Sequence, residues 1–312
     1  MDKLKKVGLT ALAGTFAATS VQALEMSASG SAGFTYSSSD ADEVTGERFS
    51  FGDSITLSGS GETDMGWTVT ASYELDDGNS PFDDQTIAID TGNGTFKIQT
   101  AASSGGHHDL VPNAYGSASY SLSNGVGSET GKHVADGGTG TTDISYHNAD
   151  IAGLGVVVNA SPGATGGTDV VVKLKKADLI DGLSVALSRG DINPSDPNNE
   201  QTEMTMSASY AVGGLTIGYT NYNTEYAAAG SADTTGTHVG ASFAVNDDLS
   251  VSVDRSTSDR DTQTVDEETT SYQVAYTMGS MSIKAHLTKA DNVGYSSTAT
   301  DENKALAVSF SF

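Results

Sequence analysis

The 312-residue chain has no cysteine, which removes disulfides, thiolate metal sites, iron-sulfur clusters and thiol nucleophiles together. Its five prolines are too few for a Pro-rich linker protein. Cations are also scarce: 15 Lys plus Arg stand against 40 Asp plus Glu, a net charge of -25. Binding driven by nucleic-acid phosphates needs clustered cations, so that class is excluded. No Gly-x-Ser-x-Gly nucleophile elbow occurs, and Gly127 to His133 is one residue too short between glycines for a phosphate loop, with His133 where Ser or Thr is required. His107-His108-Asp109 is a weak metal signal, because adjacent histidines splay apart on a strand. The residues therefore nominate no enzyme, no catalytic group and no firm metal site. Long apolar runs are missing too; the stretch Leu154 to Val158 is broken by Gly155, so no helix is expected to span a bilayer.

What is present begins with a targeting pattern. Lys3, Lys5 and Lys6 precede an apolar stretch from Val7 to Ala18, and Val21-Gln22-Ala23 has the small residues of a cleavage site. Residues 1–23 are read as a removable secretory signal, leaving 24–312 as one exported unit, more acidic than the whole. If an exported chain without a spanning helix sits in a membrane, it must do so as a closed barrel, the other structure that satisfies its own backbone there.

From Ser27 onward, apolar residues recur at every second position in short segments, the period of a strand with one greasy face. Trp67, Val69, Ala71 and Tyr73 alternate with Thr68, Thr70, Ser72 and Glu74. Leu215, Ile217 and Tyr219 do the same, as do Met281, Ile283, Ala285 and Leu287, and Leu306, Val308, Phe310 and Phe312. Helical readings fail because Gly and β-branched residues are scattered throughout; one helical piece is expected somewhere within 101–141.

The connections alternate in length. Tight turns are read at 64–66, 92–94, 150–153, 180–182, 213–214, 246–248 and 279–280, all rich in Gly, Asn and Asp. Longer polar links lie between them, at 37–48, 75–84, 101–141, 161–168, 190–200, 223–236, 256–269 and 289–301. Fifteen connections make sixteen strands, from about 27–36 to about 303–312. The expected fold is a 16-stranded antiparallel transmembrane β-barrel with short periplasmic turns and longer extracellular loops, in the bacterial outer membrane. A soluble sandwich alternates as well, but its loop lengths need not sort by side.

The segment Phe51 to Trp67, a strand running through a tight turn into a second strand, resembles the general porins of alphaproteobacteria, the Rhodobacter type. The end, Ala305 to Phe312, looks like the final strand of outer-membrane porins, whose terminal phenylalanine is read by the barrel-assembly machinery. The resemblance implies a homotrimeric, water-filled diffusion channel for small hydrophilic solutes and ions, embedded in outer-membrane lipid. It also implies that the third extracellular loop, here 101–141, folds inward and constricts the pore. A non-channel outer-membrane barrel or a surface-exposed binding protein is the alternative.

Pore selectivity follows from charges at the narrowest point. Parity turns Lys97, Gln99, Lys173, Lys175, Lys284, His286, Glu74, Asp143 and His147 into the lumen, with Arg48 inward near the mouth. The long loop offers Asp109, Glu129 and Asp136 with His107, His108 and His133. One reading is a transverse field between cationic wall and anionic loop; the other is ordinary polar lining, and for Lys284 the lining reading is favoured. Related porins carry a denser arginine cluster, whereas this chain has four arginines, and with its negative charge cation preference is expected. Acidic clusters at Asp76-Asp77, Asp83-Asp84, Asp259 to Asp261 and Asp266 to Glu268 offer hard oxygens to calcium, which relatives bind, but solvated loop charge accounts for them as well. No other cofactor is required. Aromatic residues on the apolar parity, among them Trp67, Tyr73, Tyr210, Tyr219, Tyr276, Phe310 and Phe312, are read as interfacial girdles.

Overall fold

The computed structural model describes residues 25–40, 45–76, 84–100, 107–119, 143–151, 153–162, 168–192, 200–228 and 231–312. The expected signal at 1–23 lies outside them. Sixteen strands follow in chain order. The first eight are β1 (Glu25–Asp40), β2 (Thr45–Glu62), β3 (Thr68–Asp76), β4 (Gln85–Asp90), β5 (Thr95–Thr100), β6 (Asp143–Ile151), β7 (Leu154–Pro162) and β8 (Thr168–Ile180). The rest are β9 (Leu183–Ile192), β10 (Gln201–Val212), β11 (Leu215–Tyr226), β12 (Thr234–Ala244), β13 (Leu249–Arg260), β14 (Glu267–Met278), β15 (Met281–Asp291) and β16 (Thr300–Ser311). Each pairs antiparallel with its chain neighbours, and β1 pairs with β16 to close the barrel.

Several strands run further toward the long loops than the alternation of apolar residues suggests. β1 and β2 are paired out to Asp40 opposite Thr45, and β13 and β14 reach Arg260 and Glu267, inside links read from the sequence as 37–48 and 256–269. The reason is that beyond the hydrocarbon the outer face no longer needs apolar side chains, so the ladder continues after its greasy signature has stopped. Polar outward pairs such as Arg255 with Glu268 and Lys289 with Glu302 occupy these extensions.

Burial is inverted relative to a soluble fold. Phe51 is 77% exposed and Met206 54%, whereas Ser271, Thr288 and His238 are fully buried. Among the described residues the only cluster of buried apolar side chains is Ala118 with Tyr222, so nothing resembling a sandwich core exists. Turn chemistry does the rest on the short side. Gly182 adopts φ 78° in the two-residue β8–β9 connection, and in the β12–β13 turn the Asn246 side chain accepts from the amides of Asp248 and Leu249 at 2.9 Å each.

The seam where the first and last strands meet is secured at its short-turn end. Gly30 and Phe312 exchange amide and carbonyl hydrogen bonds, both 2.9 Å. A Cβ at Gly30 would fall 2.7 Å from both the Phe312 ring and the Ser54 carbonyl oxygen. Gly30→Val should therefore destabilise the folded barrel by about 1–3 kcal/mol through overpacking at the seam. Urea unfolding in detergent micelles checks this, and a midpoint equal to that of the unaltered chain would contradict it.

Candidate functional site

The long β5–β6 connection enters the barrel. Its described part, 107–119, lies along the inner wall from β9 to β15 and is fastened there by wall side chains. Ser and Thr hydroxyls and carboxamides at lumen-facing parity are short and bond a backbone without needing charge, which is why the alternation itself prepares a seat. The amides of His108, Leu110, Ala114 and Tyr115 donate to Ser188 Oγ (3.1 Å), Ser207 Oγ (2.8 Å), Ser252 Oγ (2.8 Å) and Gln273 Oε1 (2.8 Å). Ser119 donates its amide to Asp254 Oδ1 at 2.7 Å. Lys284 Nζ donates to the Tyr115 carbonyl at 3.0 Å, and the Tyr115 ring meets His286 edge-on at 4.6 Å. Two wall glycines let the loop lie close: a Cβ at Gly218 would come within 2.7 Å of Leu110 O and Val111 Cα, and one at Gly240 within 2.7 Å of Val111 Cγ1.

The electrostatic centre of the seat is Asp109. Its Oδ1 accepts from Thr220 (2.8 Å) and its Oδ2 from Tyr222 (2.6 Å), while His238 Nδ1 lies 2.6 Å from Oδ2. The other His238 nitrogen lies 2.9 Å from Asp254 Oδ1, and Gln273 donates to Asp254 Oδ2 at 2.9 Å. Both imidazole nitrogens face carboxylate oxygens, which only accept when ionised, so one ring bridges loop carboxylate to wall carboxylate. Burial works to raise the Asp109 carboxyl, but His238, Tyr222 and the Val111 amide more than reverse it and leave it at about 2. Nearby, His107 Nε2 stands 3.4 Å from Glu203 Oε2 with both side chains buried. The His108 imidazole is pushed down to about 4 by burial and by the charges of Lys173, Lys175 and His107.

The residues expected to carry selectivity divide into groups. Asp109, His107 and His108 sit in the loop against β8 to β12. Asp109 is engaged by the wall beside His238, so the structure does not bring it together with Lys97. Lys97 on β5 and Lys173 and Lys175 on β8 lie on lumen parity of the adjoining wall, and Lys173 is buried. Arg48, near the loop end of β2, is exposed and separate from this cluster. Glu129, Asp136 and His133 lie outside the described residues, as do Asp77 and Asp83 of the acidic clusters. Among the described residues no group of three or more carboxylate or imidazole side chains is placed to hold a metal ion. Glu268 instead pairs with Arg255, and Glu267 accepts from the Gly294 amide at 2.9 Å. Lys284, read as mere lining, holds the loop. No sequence motif marks His238, Asp254 or Tyr222. The available signal was parity: an imidazole, a carboxylate and an aromatic ring on the polar side of strands whose other side is Val239, Val253 and Tyr219.

A model of the Gram-negative porin family matches residues 7–311 of the sequence. The chain belongs to the Gram-negative porin family. It is therefore a multi-pass protein of the bacterial outer membrane and a porin channel. Solved porins share its fold. The anion-selective porin from Comamonas acidovorans is 14% identical, covers 93% of this chain and 100% of its own, and superposes with a TM-score of 0.67. A porin refined at 1.8 Å is 17% identical, with coverage of 92% and 100% and a TM-score of 0.67. Salmonella typhi OmpF, in complex with daunomycin, is 12% identical, with coverage of 93% and 98% and a TM-score of 0.66. No curated protein matches by sequence.

Replacing His238 with leucine leaves Asp109 and Asp254 facing each other without their bridge, and losing one partner of a buried pair costs about 3–5 kcal/mol. Hydrogen exchange in H238L should show the amides of His108, Leu110, Ala114, Tyr115 and Ser119 deprotected while the strand amides stay slow; unchanged loop protection would refute the bridge. Acid should act in two stages. The folded state holds His108 below its ordinary 6.5, so the support of the neutral ring is complete above that pH and is lost as pH falls toward about 4. Asp109, held below its ordinary 3.8, contributes fully above that pH and loses its contribution toward about 2. Loop protection, corrected for intrinsic exchange rates, should decline first between pH 6.5 and 4 and again below 4. A flat profile from pH 7 to 2 would contradict both assignments.

Proposed function

We propose that this porin is a general diffusion channel for small hydrophilic solutes and ions, with a preference for cations. The observation that carries the reading is the seat of 107–119. A loop laid along the inner wall by hydrogen bonds from the amides of five of its residues takes up part of the lumen. Segment 101–141 is the constriction, and Lys97, Lys173, Lys175, Asp109, Glu129, Asp136, His107 and His108 are its charged lining, with Arg48 lining the pore nearer the mouth. The Comamonas porin is described as anion-selective, but a chain of net charge -25 raises cation concentration in and around its mouth, which supports the opposite sign here. Kinship with the alphaproteobacterial general porins rests on Phe51 to Trp67 and on the terminal strand. Assembly as a homotrimer is supported by the trimer form of Vibrio cholerae OmpT, a structural neighbour at 12% identity. The terminal Phe312 is the segment read by the barrel-assembly machinery.

Planar-bilayer recording tests these readings together. Stepwise conductance is expected, and under a potassium chloride gradient the reversal potential should carry the sign of cation flow, by more at low salt than at high salt because screening shortens the reach of the field. Anion-signed reversal would remove the preference. An intact barrel that passes no current would replace the channel with a non-conducting barrel.

A further inference from the structure

The inner wall is not uniformly acidic. On β8, Lys173 and Lys175 point into the lumen two residues apart, about 6.6 Å along the strand, opposite Val157 and Gly155 of β7. On the neighbouring strands, Lys97 faces the lumen on β5 and His147 on β6, the latter within electrostatic reach of Lys97 and Lys173. The seated loop brings His108 over the same place, within reach of Lys173 and Lys175. Beside them is a recess of about 710 Å³, lined among others by His108, His147, Asn148, Gly155, Lys175 and Asp90; Lys97 and Lys173 do not line it but flank it, both within electrostatic reach of His147.

Three features make this recess a site rather than polar lining. Gly155, opposite Lys175, contributes no side chain, so the ammonium borders open space instead of a neighbour. The one carboxylate on its rim, Asp90, is turned into the adjoining hairpin, where Oδ1 accepts the Gly92 amide at 2.8 Å. Among the described residues neither Lys97 nor Lys175 forms an ion pair with a carboxylate, and Asp109, the acid of the described loop, is committed to His238 on the far side. Ammonium groups from two strands, with imidazoles from a third strand and from the loop beside them, hold a multivalent anion better than a monovalent one. Each ammonium adds its own attraction, and the imidazoles add hydrogen bonds.

We infer that this recess is a binding subsite for small dianionic oxyanions, a phosphate or a short dicarboxylate, held by Lys175 and Lys97 together with Lys173 and hydrogen-bonded by His108 and His147. The inference rests on the channel reading and deepens it. The acidic exterior sets which ions gather at the mouth, and the basic recess retains a minority class of solute inside. Overall cation preference and a local dianion site are compatible, because screening over about 10 Å at 0.1 M salt separates the two fields.

Single-channel recording of the full-length mature protein in 0.1 M potassium chloride at pH 7.5 tests this, with inorganic phosphate and succinate titrated separately at constant ionic strength. Concentration-dependent interruptions of the current are expected with at least one of them, and the arm that responds names the ligand. The double variant K97Q/K175Q should weaken the block at least tenfold, whereas K289Q, on the outer face, should leave it unchanged. A conducting channel insensitive to both anions overturns the inference, and so does block that K97Q/K175Q leaves intact. A protein passing no current sinks the channel reading instead. Isothermal titration of the detergent-solubilised protein and of K97Q/K175Q with phosphate and with succinate then decides the subsite independently, saturable binding of either that is lost in the variant supporting it and binding of neither overturning it.

Discussion

Inside hydrocarbon there is no water to receive a backbone N–H or carbonyl, and each group left bare costs several kcal/mol. A sheet meets that demand only when it has no edge. Sixteen antiparallel strands satisfy it, and the pairing of β1 with β16 removes the last edge. Most of what the sequence looks like is a consequence. Apolar side chains face outward toward lipid, polar ones inward toward water, and the chain needs no apolar core, so its overall hydrophobic content stays low.

The inward half of this alternation has a second use. Lumen-facing Ser188, Ser207, Ser252 and Gln273 are what a polar lining requires, yet at the level of 107–119 they act as a ladder of acceptors for loop amides. Charge is concentrated where His238 bridges Asp109 and Asp254, with Lys284 on the Tyr115 carbonyl further along the seat. The loop thereby becomes part of the wall over β9 to β15, and the lysines of β5 and β8 are left beside a recess. Of the two readings left open for wall and loop, a transverse field or ordinary polar lining, Asp109 follows neither simply: it is bridged by His238, away from the lysines of β5 and β8.

Of the fold, strand number, orientation of the short and long connections and the lipid-facing set were readable from alternation and turn residues. Strand ends were not. Arg255 with Glu268 and Lys289 with Glu302 continue the ladder where the outer face meets headgroups and water, and no apolar residue marks their membership. Of the site, parity placed Lys97, Lys173 and Lys175 in the lumen. It passed over His238 and Tyr222, because a polar or aromatic residue on the wet side of one strand has no visible partner until another segment is laid against it.

By itself, the sequence determined that this chain is a sixteen-stranded tube, greasy outside and wet within, because side-chain direction in a strand depends only on whether a position is odd or even. Only the tertiary structure decided which inward residues meet. Asp109 and His238 are 129 positions apart, and His108, His147 and Lys175 come to border one recess through strand pairing and the seat of a loop. Such distances are set by closure of the ring, which no local pattern encodes.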